Sequence, residues 1–75
     1  GVRVEGGASL DKCVVMDQVK IGKDAVLRNV ILDKNVTIAD GVQIGVDPQA
    51  DLARGLHISP RGIVVVPKGM IVEPI

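Results

Sequence analysis

Phenylalanine, tyrosine and tryptophan are all absent from these 75 residues. Without aromatic rings there is no platform on which nucleic-acid bases stack. With 9 Lys+Arg set against 9 Asp+Glu there is also no basic excess to attract a phosphate backbone. Both absences argue against a nucleic-acid partner. Apolar runs are short. None approaches the ~20 residues that span a bilayer and no secretory leader is visible, so no membrane partner is expected. A single cysteine, Cys13, permits no internal disulfide, which fits a reducing, cytoplasmic setting. A single histidine, His57, leaves too few imidazoles for a His-based metal cage. The chain opens on Gly1 rather than Met and runs straight into apolar alternation, the pattern of a piece of a longer protein.

The chain does have aliphatic content. Apolar residues make up 47% of it, and without aromatics the core must be Val, Ile, Leu and Ala. Those residues, together with 9 Gly and 4 Pro, suit β structure with many turns rather than a helix bundle. A chain this short buries little of its unfolded surface and needs an economical way to build a core.

An internal repeat supplies it. Residues 4–20 and 21–37 superimpose at a shift of 17, and a third copy opens at Ile38 before breaking at Val46. Each of the first two copies has 8 apolar positions and 7 coincide, where random placement gives about 4. Large aliphatics recur about every six residues: Val4, Leu10, Val15, then Ile21, Leu27, Leu32, then Ile38 and Ile44. Helical spacing does not account for this, and the β-branched content opposes it. Three short strands per turn do account for it. Gly6, Gly7, Gly22, Gly41, Asp24, Asn29, Asn35 and Asp40 then supply turn chemistry and tolerance of positive φ. Equivalent positions stack as columns, Val4–Ile21–Ile38, Leu10–Leu27–Ile44 and Val2–Val19–Val36, at a strand spacing of about 4.8 Å. Each buried side chain contributes roughly 1.5–3 kcal/mol. General chirality rules favour right-handed crossovers, but hexapeptide repeats of this form resemble the left-handed class. The expected fold is therefore all-β: a left-handed parallel β-helix over residues 1–45, with residues 46–75 as a capping segment of the same domain. The first coil should present an open apolar face, to be covered by an upstream domain or another subunit.

Within the capping segment, Asp47-Pro48 is a helix-start signal, and a short helix is expected over Gln49–Arg54, closed by Gly55. Strands are expected over Leu56–Ser59, Ile63–Val66 and Met70–Val72, with turns at Pro60-Arg61-Gly62 and Pro67-Lys68-Gly69.

Chemistry-bearing residues are sparse. His57 lies outside the repeat without a second His, and reads as a surface histidine rather than a general base. Cys13 shares a column with Val30 and reads as a small buried hydrophobe. Asp11, Asp17, Asp24, Asp33 and Asp40 read as turn formers at corners. Arg28, Lys34, Arg54, Arg61 and Lys68 are scattered cations; the alternative to plain surface charge is that some hold a phosphorylated ligand.

The run Ile31-Leu32-Asp33-Lys34-Asn35-Val36 with Ile38, Gly41, Ile44 and Gly45 resembles the C-terminal β-helix of bacterial glucose-1-phosphate adenylyltransferases. The tail carries the resemblance further, through Gly45-Val46-Asp47-Pro48, Asp51, Ala53-Arg54-Gly55, Ile58-Ser59 and Gly62-Ile63-Val64-Val65-Val66-Pro67-Lys68-Gly69. The resemblance covers essentially the whole chain. It implies a parent enzyme making ADP-glucose and diphosphate from ATP and α-glucose 1-phosphate for glycogen synthesis. It also implies an N-terminal catalytic domain holding Mg²⁺ and ATP, with no catalytic residue or cofactor in the present segment. The β-helix would join subunits into a homotetramer and help form a regulatory site for phosphorylated effectors. Basic effector positions of the family fall on Lys34 and Lys68, and Arg54 is a nearby cation. A third falls near Val72, which is not basic. Competing readings are a hexapeptide acyltransferase, opposed by the missing repeat-borne His; the β-helix of another sugar-phosphate nucleotidyltransferase; and a scaffold.

Overall fold

The computed structural model describes residues 1–74; Ile75, the last residue of the expected capping segment, lies outside the described residues. The chain winds through three faces per turn. Strands β1 (Val2–Val4), β2 (Ser9–Asp11) and β3 (Val14–Val15) make the first rung. Strands β4 (Val19–Ile21), β5 (Val26–Arg28) and β6 (Val30–Leu32) make the second. Strands β7 (Thr37–Ile38) and β8 (Gln43–Ile44) begin the third. The rungs pair in parallel at the shift of 17: Val4 opposite Ile21, Leu10 opposite Leu27, and Val15 opposite Leu32. This is the three-sided hexapeptide β-helix expected from the repeat.

Side chains alternate across each short strand, so the middle or flanking aliphatic turns inward. Ile21, Leu27, Leu32, Ile38 and Ile44 are completely buried, with Val19, Val30, Val36 and Val42 beside them. The same columns in the first rung remain open: Val2, Val4 and Leu10 are exposed because nothing lies on their outer side. The open apolar face expected at this end is therefore present.

Each corner contains one residue in the left-handed region, and these residues also stack. Gly7, Asp24 and Gly41 form one column, Lys12 and Asn29 a second, and Gln18, Asn35 and Gly69 a third. Their backbone N–H groups donate one rung back, Gly41 to the Lys23 carbonyl (2.8 Å), Asn29 to Asp11 (2.9 Å) and Asn35 to Asp17 (3.1 Å). The turn conformation thus recurs because it aims a donor along the stack. Gly6, Gly22 and Asp40 were expected among the turn formers but do not have positive φ, while Lys12 and Gln18 do. Position in the coil dictates the conformation, and residue type follows it only where Gly, Asn or Asp happens to stand there.

The C-terminal segment departs from a simple cap. The helix α1 (Pro48–Ala53) starts as expected, with the Asp47 carboxylate accepting from the Gln49 N–H at 3.1 Å. After β9 (His57–Ile58), however, the chain re-enters the solenoid. Strand β10 (Val64–Val66) pairs in parallel with β6, Val66 opposite Leu32, and β11 (Ile71–Val72) pairs with β7, Val72 opposite Ile38. The shift across these pairs is 34, twice the coil length. The repeat therefore does not stop at Val46. An excursion as long as one coil separates β8 from β10, and its helical and turn residues hide the register in the sequence. The third rung is completed by β10. Strand β9 lies antiparallel on the outer edge of β10, and Leu56 from the excursion is buried against the core.

Two outcomes follow. Leu27→Ala should lower unfolding free energy in urea by about 3 kcal/mol, and Leu10→Ala, already open to solvent, by about half as much. Lys12→Asn and Gln18→Asn, which ease left-handed backbone, should each raise it by about 0.5 kcal/mol in the same titration.

Candidate functional site

The corner that follows the sheet of β3, β6 and β10 gathers charge. Lys34 stands in the turn before β7 and Lys68 in the turn before β11, and both are exposed. Their rungs are adjacent: the Gly69 N–H donates to the Lys34 carbonyl at 2.9 Å. The two lysines therefore occupy the same position on neighbouring rungs, about 4.8 Å apart along the stack axis. Neither ammonium is in an ion pair among the described residues. A pair of unengaged cations on rigid, hydrogen-bonded corners is an arrangement that an anionic oxygen cluster neutralises.

One rung earlier the same position is Asp17, whose carbonyl accepts from Asn35 at 3.1 Å. Its carboxylate accepts from the Gly1 ammonium at 2.6 Å and from the Gln18 N–H at 3.0 Å. The terminal ammonium, and then the Gln18 N–H, hold the Asp17 carboxyl below the ordinary carboxylate range. Asp33, half-buried, turns its carboxylate onto the Lys34 N–H at 2.7 Å. Inspection of the sequence passed over Asp17 as one more corner acid. The shift of 17 that placed the core columns also puts it in line with Lys34, and that was the available signal.

Arg54 does not join this corner. It closes α1 and turns inward, donating from Nε to the Glu73 carbonyl at 3.3 Å and from Nη1 to the Gln43 carbonyl at 3.1 Å. Glu73 and Gln43 flank the corner at the opposite end of β7 and β11 from Lys34 and Lys68. Beneath it lies Asp51, the buried acid of the core, with Oδ2 accepting from the Gly45 N–H at 3.0 Å and Oδ1 3.8 Å from Arg54 Nη1. The expected effector cation is thus a clasp that fastens the excursion to the last rung. A shallow cleft of about 280 Å³ opens beside it, lined by Gly41, Gln43, Asp47, Ala50, Arg54 and Pro74. Gly45 belongs to the same junction: its φ is +81°, and a Cβ there would collide with the Arg28 carbonyl oxygen.

The remaining candidates stand apart. His57 is exposed on β9, opposite Val65. Cys13 is half-buried rather than fully buried, because its rung is the open one; its Sγ lies 3.3 Å from the Asp11 carbonyl. Arg28 is exposed at the end of β5, and Arg61 is exposed in the turn before β10. Among the described residues no three His, Cys, Asp or Glu side chains converge as a metal cage. No helix among them is long and apolar enough to cross a membrane.

Parallel rungs at a hexapeptide spacing, closed by a helical excursion, define a class of repeat domain, and residues 1–66 match the family model described as GlmU-like, C-terminal hexapeptide; the chain belongs to that family. Among curated proteins it is similar to glucose-1-phosphate adenylyltransferases. That of Frankia casuarinae is 52% identical over 66 residues, 88% of this chain. That of Corynebacterium diphtheriae is 51% identical over 71 residues, 95% of this chain. That of Actinobacillus succinogenes is 45% identical over 65 residues, 87% of this chain. The chain spans about 16% of the length of these relatives.

Removing the clasp should loosen the excursion. Asp51→Ala, which leaves Arg54 without its carboxylate, is expected to cost about 3 kcal/mol in urea unfolding, and the double change Asp51→Leu with Arg54→Met distinctly less. Equal losses in both variants would show that packing, rather than charge, holds the junction.

Proposed function

We propose that this chain is the β-helical part of a glucose-1-phosphate adenylyltransferase, and that it serves oligomerisation and effector control rather than the chemical step. Similarity near 50% to enzymes of that name over most of the chain supports the family reading. In this reading the remainder of the polypeptide carries the transfer of the adenylyl group from ATP to α-glucose 1-phosphate, with release of diphosphate. Mg²⁺ and ATP belong, in this reading, to that part. The parent enzyme, in this reading, is a cytoplasmic homotetramer.

The single observation that carries the regulatory half is the stacked pair Lys34 and Lys68. Two ammonium groups carried on neighbouring rungs of one corner, neither in an ion pair among the described residues, suit a phosphorylated effector in charge. Arg54, already engaged by two carbonyls, is assigned to holding the fold.

The test uses the full-length enzyme and follows ADP-glucose formation against effector concentration. Lys34→Ala and Lys68→Ala are each expected to raise the half-saturating effector concentration about tenfold, the loss of one charge-assisted contact, while turnover without effector stays within about twofold. Unchanged activation curves in both variants would remove the regulatory assignment.

A further inference from the structure

The three outer faces of the solenoid differ. On the sheet of β1, β4, β7 and β11 the outward column runs Arg3, Lys20, Thr37 and Ile71. On that of β2, β5 and β8 it runs Ser9, Val26 and Gln43. On the sheet of β3, β6 and β10 it runs Val14, Ile31 and Val65, one aliphatic per rung, with His57 of β9 next in line. These side chains point outward because their strand neighbours point in: Val30 and Leu32 flank Ile31, Val64 and Val66 flank Val65, and all four are buried. Val14 is exposed, and Ile31 and Val65 are half-buried. An unbroken aliphatic row that the core does not use marks a contact surface.

The corner that borders this face indicates what fits it. It carries Asp17, Lys34 and Lys68 at one position on successive rungs. Asp33 precedes Lys34, so the edge has an acid at one end, a base at the other and one of each between. Such an edge is its own complement when turned end for end. About a two-fold axis at Ile31, Asp17 comes opposite the Lys68 position of a second copy, while Ile31 meets Ile31 and Val14 meets Val65. We propose that the outer face of β3, β6 and β10 is where a second copy of this chain docks, face to face and end for end. A two-fold contact of this kind uses the same patch on both copies, and branched aliphatics fill the space of about 10 Å between packed sheets. The rim charges set the direction of docking. A two-fold axis along the stack instead sets the Lys68 edge against the Arg61 turn before β10, like charge against like. The proposal rests on the oligomerisation half of the reading above and names its surface. One aliphatic per rung falls short of the roughly 800 Å² per partner that a stable dimer buries, so the contact acts as one of several in the assembly.

Sedimentation equilibrium on the full-length enzyme tests it. Ile31→Glu is expected to release half-sized species, with a rise in dissociation constant of about thirtyfold. Asp17→Lys and Lys68→Asp are each expected to raise it about tenfold, and the two changes in one chain to restore it to within about threefold. A variant that only misfolds does not regain assembly on a second change, so restoration separates docking from instability. Assembly unchanged in Ile31→Glu overturns the inference. So do single charge changes that the double change does not relieve, a result that gives the face to another part of the same polypeptide. A full-length enzyme that is monomeric before any substitution shows that the oligomerisation reading has failed first.

Discussion

A rung of this solenoid cannot bury its own aliphatic face. Ile21, Leu27 and Leu32 are sealed because another rung lies on each side, whereas Val4 and Leu10, in the same columns, stay open because only one does. Inter-rung contact is therefore the interaction on which the rest depends. It explains why the core manages without aromatic rings: the interior of a three-sided coil is narrow, and one branched aliphatic per face fills it. It also explains the corners. The left-handed residues recur in register, and from the second rung on Asp24, Asn29, Asn35, Gly41 and Gly69 each aim an N–H at the rung beneath, where a missing donor would leave a carbonyl unpaired.

How much of this could be read from the sequence depended on whether a residue type is tied to its position. The columns through Leu10, Leu27 and Ile44 were legible because only a large aliphatic serves there. The corners at Asn29 and Asn35 were legible because asparagine tolerates positive φ, but Lys12 and Gln18 occupy the same conformation without any signature. The helix start at Asp47-Pro48 was plain, since capping is local chemistry. The return of β10 and β11 was not: Val64 and Val72 rejoin the columns after an excursion of one coil length, and nothing local marks the re-entry. The hand of the coil came from family resemblance rather than from spacing.

The candidate site followed the same division. Lys34 and Lys68 were reached through resemblance, and the structure adds that they are vertical neighbours. Arg54 was chosen on sequence proximity and charge, which do not reveal that its guanidinium is spent on the Gln43 and Glu73 carbonyls over a buried Asp51. Asp17 was legible in principle, since the period that aligned the core aligns it with Lys34. Once a register is known, exterior positions are stacked as surely as interior ones, and a charge can be assigned its neighbours without any contact distance.

The excursion between β8 and β10 begins and ends at a single corner of one rung. Its two ends are fixed by sheet pairing on either side, so the number of residues between them does not set the phase of anything downstream. Closure of such a loop becomes only slowly harder with length, about 0.6 kcal/mol for each doubling. Insertions or deletions there leave every column aligned, whereas one residue added at the Asn29 or Asn35 corner rotates each later side chain off its face. The solenoid thus has one site at which natural length variation can accumulate without disturbing the stack, and it lies at the end already specialised by a helix.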